Sequence, residues 1–176
     1  AAAAILCTEE GLKRIGADKS RCIKISASVL RSFSPRRIDQ PELHVGRLAA
    51  QQAYEIAGLG PQDMHVAEVH DASAMGEIIQ AENLGLVELG MGGPAAERGE
   101  FTIGGRIPIN PSGGLESKGH PIGATGIGQL YELVTQLRGE AGARQVEGAR
   151  HAIQENGGGM QGVEEAAVAI HILSKS

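Results

Sequence analysis

The run Asn110–Gly128, NPSGGLESKGHPIGATGIG, constrains the fold more than any other stretch of the chain. Its glycines (Gly113, Gly114, Gly119, Gly123, Gly126 and Gly128) allow backbone angles and close approaches that a Cβ forbids, and Pro121 suits the first turn of a helix. His120 therefore sits where a tight loop turns into a helix. Such a junction holds a side chain rigidly beside free N–H groups, which is a good mount for a catalytic imidazole. The plainer alternative is a glycine-rich turn carrying a solvated histidine.

Composition removes several classes of function. With 176 residues and 41% hydrophobic content, the chain can bury one core of ordinary domain size. A net charge of −5 and only four aromatic residues argue against a nucleic-acid partner. No run of about 18 apolar residues suggests a membrane span, and no metal-ligand spacing is present. Cys7 and Cys22 read as buried thiols in a reducing compartment, so the expected location is the cytoplasm.

Strand and helix signals alternate along the chain. Residues 1–7 read as a buried strand that begins abruptly, Glu9–Ile15 as a short helix stopped by Gly16, and Arg21–Leu30 as a strand. The basic connection Arg31–Pro41 reads as a solvated linker, with the alternative that its arginines meet the phosphates of a ligand. From Glu42 to Ala57, Leu43, Leu48, Ala49, Ala53 and Ile56 recur at helical spacing. Val66–Val69 then delivers His70 and Asp71 at the C-terminal end of a strand, where open α/β sheets gather their ligands. Met75–Leu84 reads as a helix, and 85–106 as a long loop with seven glycines. Ile122–Leu137 is a helix with Ile127, Leu130, Val134 and Leu137 on one face. Ala149–Gln154 and Val163–Leu173 close the chain as strands joined across Gly157–Gly159. This alternation predicts an α/β fold with a mixed sheet.

Three clusters in this order, Glu68–Ala74 (EVHDASA), Asn110–Gly128 and Gln154–Gly162 (QENGGGMQG), resemble the C-terminal half of thiolases, especially the sterol-carrier-protein-type branch. The resemblance implies the layered αβαβα thiolase fold, with this chain as its C-terminal βαβαβαββ half. Residues 1–30 would be the end of the N-terminal half and 31–176 the C-terminal domain. It further implies acyl-CoA C-acyltransferase chemistry: forming or cleaving a C–C bond in a 3-oxoacyl-CoA, with coenzyme A as co-substrate and no permanently bound cofactor.

The site residues follow from the same resemblance. His120 would activate a cysteine nucleophile and stabilise the thioester oxygen, and His70 would complete that oxyanion site. The Gly157–Gly158 turn, with Asn156, Ser112 and Gly113, would bind acyl oxygens. The nucleophilic cysteine belongs to the N-terminal half, in the same or a separate chain. The family's basic cysteine is missing too, since Ala72 and Glu155-Asn156 stand at its two positions. Glu155 is then the expected replacement base, with Asn156 facing the site as the rival account. Expected partners are an acyl-CoA, the N-terminal half and a second copy in a homodimer or larger oligomer, with an exposed apolar helical face to be covered. Two alternatives stay open: a thiolase-like aldolase working with a zinc-ribbon/OB-fold protein, and a non-catalytic acyl-CoA-binding subunit.

Overall fold

The computed structural model describes residues 1–175. Helix α1 (Glu9–Ile15) is capped at its start by the Thr8 hydroxyl, which accepts from the Gly11 N–H at 3.0 Å, and at its end by left-handed Gly16. Strand β1 (Ile23–Ser32) follows, crossing residue 30, then α2 (Val45–Ala57), β2 (Val66–Glu68), α3 (Ala74–Asn83) and a short α4 (Gly92–Glu97) inside the long glycine-rich loop. Helix α5 (Gly114–Lys118) is a single turn, and α6 (Thr125–Arg138) leads to β3 (His151–Gly158) and β4 (Ala167–Lys175).

The sheet has the order β1-β4-β3-β2 and is mixed: β2 runs parallel to β3, whereas β4 is antiparallel to both β3 and β1. Relative to a βαβαβαββ order, the third strand is reduced to one parallel bridge between Ile109 and Ala67. That bridge brings the loop at Asn110 to the end of β2. Asn110 adopts φ 50°, and its side-chain oxygen accepts from the Val69 N–H at 2.8 Å. Asn tolerates the left-handed region better than most residues.

Strand alternation divides the core into two layers. Ala67, Val69, Ile153, Val168, Ile170 and Ile172 face α2 and α3, while Val66, Ala152 and Leu173 face α6 with Leu133 and Leu137. Tight packing of α2 on the sheet comes from Ala49, Ala50 and Ala53, all at most 1% exposed. Leu43 and Ile56, expected on that face, are exposed. They lie at the helix margins, where the α2 stripe of small residues has already turned from the sheet.

Three further expectations are corrected. Residues 1–7 form no strand and are exposed, because β1 pairs only with β4 and offers the run no pairing partner within the described residues. Cys7 is consequently exposed, and Cys22, partly exposed, donates through its thiol to the Asp18 carbonyl at 3.5 Å. Arg36 is neither solvated nor open to a phosphate: its Nε lies 2.6 Å from Glu164, both side chains being at most 8% exposed.

Helix α6 buries a face that is partly polar. Gln129, Glu132, Leu133, Gln136 and Leu137 point inward. The polar members are accommodated because they are bonded: the Gln129 amide donates to the Glu155 carbonyl (3.0 Å) and accepts from Gln154 (2.7 Å), and Gln136 donates to the Arg144 carbonyl (2.8 Å). Ile127, Leu130, Tyr131 and Val134 instead line a groove of about 710 Å³ together with Ile5, Leu6 and Leu173. No helix among the described residues is long and apolar enough to cross a membrane.

Candidate active site

Two histidines meet at the end of β2. Their ring centroids are 4.9 Å apart, tilted by 47°. His70 arrives at the strand's C-terminal end, and His120 arrives from the glycine-rich loop just ahead of α6. They are fifty positions apart in sequence, and the loop that carries His120 is pinned to β2 by side chains.

The pinning residues are Glu68 and Asp71. Glu68 is fully buried and accepts from the Ser112 N–H (3.1 Å) and hydroxyl (2.7 Å), with the Lys118 ammonium at 3.4 Å. Burial pushes the Glu68 carboxyl above its ordinary range, and Lys118 and Ser112 pull it back. Asp71 accepts from the Leu115 N–H at 2.7 Å at the start of α5. A Cβ at Gly114 would collide with the Asp71 carboxylate, and Gly114 has φ 59°, so glycine is required there for two reasons. Gly113, at φ 96°, sets the preceding turn. The Ser112 hydroxyl, expected to bind an acyl oxygen, is committed to Glu68 and Lys118.

Each histidine is oriented through Nδ1. His70 Nδ1 lies 2.6 Å from the Gly157 carbonyl oxygen, and His120 Nδ1 lies 2.7 Å from the Thr125 hydroxyl. Among the described residues neither Nε2 has a hydrogen-bond partner. Gly157 is buried in β3 beside β4, and a Cβ there would approach Glu165 Cγ to 2.7 Å. Gly158 is exposed, as is Gly159 with φ 67°.

Glu155 and Asn156 point to opposite faces of the sheet. Asn156 lies against Gly126 at the start of α6, on the side of the histidines, and its Oδ1 is buried without a partner. Glu155 lies on the α2–α3 side, 0% exposed, where Oε2 accepts the His70 backbone N–H at 2.8 Å. Burial, with Glu165 and Asp71 nearby, pushes its carboxyl up to about 8. Burial thus favours its protonated form. The structure brings His70, His120, Gly157 and Asn156 together, and leaves Glu155 beneath the backbone of His70. Thr125 and Glu68 were not singled out from the sequence. A threonine five residues after His120 is the only sequence signal for the first, and an acidic residue closing an apolar strand the only one for the second.

A model of the thiolase C-terminal domain-like family matches residues 33–174. The chain belongs to that family. It is 44% identical over 176 residues to the acetyl-CoA acetyltransferase of Methanothermobacter thermautotrophicus, covering 99% of this chain and 45% of that protein. It is 45% identical over 162 residues to sterol carrier protein 2 of Oryctolagus cuniculus, covering 89% of this chain and 29% of that one. The structure superposes on the Ltp2-ChsH2(DUF35) aldolase with a TM-score of 0.71 at 24% identity, over 87% of this chain and 39% of that one, a likeness of fold. This thiolase-like domain thus spans less than half the length of the curated relatives it matches.

Proposed function

We propose that this thiolase-like domain supplies the histidine half of an acyl-CoA C-acyltransferase, forming or cleaving the C–C bond of a 3-oxoacyl-CoA with coenzyme A as co-substrate. The observation that carries the reading is the convergence of His70 and His120, ring centroids 4.9 Å apart, each oriented through Nδ1 with Nε2 unengaged among the described residues. A thioester oxygen placed against Nε2 of His120 would receive a hydrogen bond as charge develops on it, the arrangement that lowers a barrier of this type. The similarity to an acetyl-CoA acetyltransferase over nearly the whole chain supports the same substrate class.

Several parts of the assembly belong to the proposal. A cysteine nucleophile comes from an N-terminal thiolase half, in the same or a separate chain, whose end extends into residues 1–30. That half, or a second copy in a homodimer or larger oligomer, covers the groove along Ile127, Leu130 and Tyr131. The exposed Cys7 thiol is suited to a reducing cytoplasm. Asn156 and the Gly157–Gly158 backbone bind the acyl group, and Glu155 holds the backbone of His70. Joining the chain to its N-terminal half and following CoA-dependent loss of a 3-oxoacyl-CoA tests this. Absence of CoA-dependent cleavage by the joined protein would reject it.

A second reading has two specific observations in its favour. The positions of the family's basic cysteine hold Ala72 and Glu155-Asn156, and the fold matches an aldolase whose description includes a DUF35 component. A retro-aldol lyase with a zinc-ribbon/OB-fold partner would cleave its substrate without coenzyme A. Omitting coenzyme A from the same assay separates the two, and a subunit that only binds acyl-CoA would show no turnover in either.

A further inference from the structure

We propose that His70 is the proton acceptor of this site: its Nε2 takes the α-proton of the bound acyl thioester while His120 Nε2–H donates to the thioester oxygen. This rests on the acyl-CoA reading above and assigns the base that the missing cysteine leaves open. The distinction between the two histidines comes from what each Nδ1 faces. A carbonyl oxygen can only accept, so the 2.6 Å contact to the Gly157 carbonyl places the proton of neutral His70 on Nδ1. Its Nε2 then carries a lone pair and cannot donate. His120 Nδ1 faces the Thr125 hydroxyl at 2.7 Å, a group that donates or accepts. The other acceptor near that hydroxyl is the Pro121 carbonyl, at the longer distance of 3.4 Å. Thr125 can therefore donate to Nδ1 and leave the His120 proton on Nε2.

The surroundings favour the same division. Two imidazolium rings with centroids 4.9 Å apart would repel, so the pair works as one acceptor and one donor. Asn156, beside Gly126 at the start of α6, has an amide that takes no proton, and the buried Glu68 carboxylate is engaged by Ser112 and Lys118. The Glu155 carboxyl is fully buried on the opposite face, away from the two imidazoles, with Oε2 accepting the His70 backbone N–H. In the step itself the α-carbon–hydrogen bond breaks and its proton forms the Nε2–H bond of His70. The electron pair of the broken bond delocalises onto the thioester oxygen as an enolate, held by His120. The Nδ1–H to Gly157 bond persists throughout, and the carbonyl dipole favours the imidazolium that results. In the cleavage direction the same proton returns to the α-carbon.

Two measurements test this. The tautomer is read directly on the chain labelled with ¹⁵N-histidine, with the ring in its neutral form and His70→Asn used to assign the signal. A pyrrole-type Nδ1 and a pyridine-type Nε2 are expected, and the reverse pattern overturns the proposal. Exchange of the α-protons of acetyl-CoA into deuterated water is then followed by mass spectrometry in the protein joined to its N-terminal half. His70→Asn keeps a hydrogen-bonding amide and removes the base, so exchange should fall by about 10²–10⁴-fold with acetyl-CoA binding retained. Exchange within a few-fold of the parent overturns the role of His70. If the parent itself exchanges nothing while its tautomer is as stated, the acyl-CoA reading fails, and the role assigned to His70 falls with it.

Discussion

Replacing Glu155 by Gln should change the way stability depends on pH. The carboxyl is 0% exposed, and burial raises it from 4.5 to about 8. Below the lower value, folded and unfolded chains both hold the proton and the folded state has its full advantage. Between the two values the unfolded chain releases the proton while the folded chain keeps it, so stability falls by about 1.4 kcal/mol per pH unit. Above the upper value both states are ionised and the loss is complete. A rise from 4.5 to about 8 sets a ceiling of roughly 4 to 5 kcal/mol. Water entry and side-chain relaxation lower this, and about 2 to 3 kcal/mol is expected. Gln keeps an oxygen for the His70 N–H, which Glu155 accepts at 2.8 Å, and never ionises. Urea unfolding of parent and Glu155→Gln at about pH 5 and about pH 9 gives the difference, in which the contribution of every other group cancels. The variant should gain on the parent by that amount as pH rises. A difference constant to about 0.5 kcal/mol across the range would refute the argument that Glu155 is held protonated.

Four further outcomes are expected. His120→Ala in the joined protein should lower turnover by about 10²–10⁴-fold, measured as CoA-dependent cleavage of a 3-oxoacyl-CoA. Thr125→Val keeps the shape and removes the hydroxyl that holds His120 Nδ1 at 2.7 Å, and should lower turnover by less than His120→Ala. Gly157→Ala brings a Cβ to 2.7 Å from Glu165 Cγ and should cost about 1–3 kcal/mol, seen as a lower melting temperature. Ser112→Ala strips the fully buried Glu68 of its hydroxyl donor at 2.7 Å and should cost about 1–3 kcal/mol in urea unfolding.

What the sequence determined by itself was the local structure and the identity of the chemical groups. Gly16 and Gly58 mark helix ends because both adopt the left-handed conformation that a Cβ disfavours, and those limits were legible from spacing. The mixed sheet followed from two closing strands near enough to pair, and His70 and His120 stood out by the motifs around them. Tertiary structure decided what periodicity leaves ambiguous. Helix α6 carries an apolar stripe at Ile127, Leu130 and Val134, and spacing alone does not say what lies against it. The structure turns Gln129 and Gln136 inward because β3 and the segment after α6 supply the donors and acceptors that make their burial tolerable. The run at residues 1–7 is apolar enough for a strand, yet a strand exists only where another backbone pairs with it, and β1 is paired by β4 alone among the described residues. Glu155 and Asn156 are neighbours in sequence on a strand, so one faces each side, and only the position of α6 shows which side is the site. The orientation of the His70 ring was decided in the same way. Its partner is the carbonyl of Gly157, eighty-seven residues away, brought within 2.6 Å by the pairing of β2 with β3.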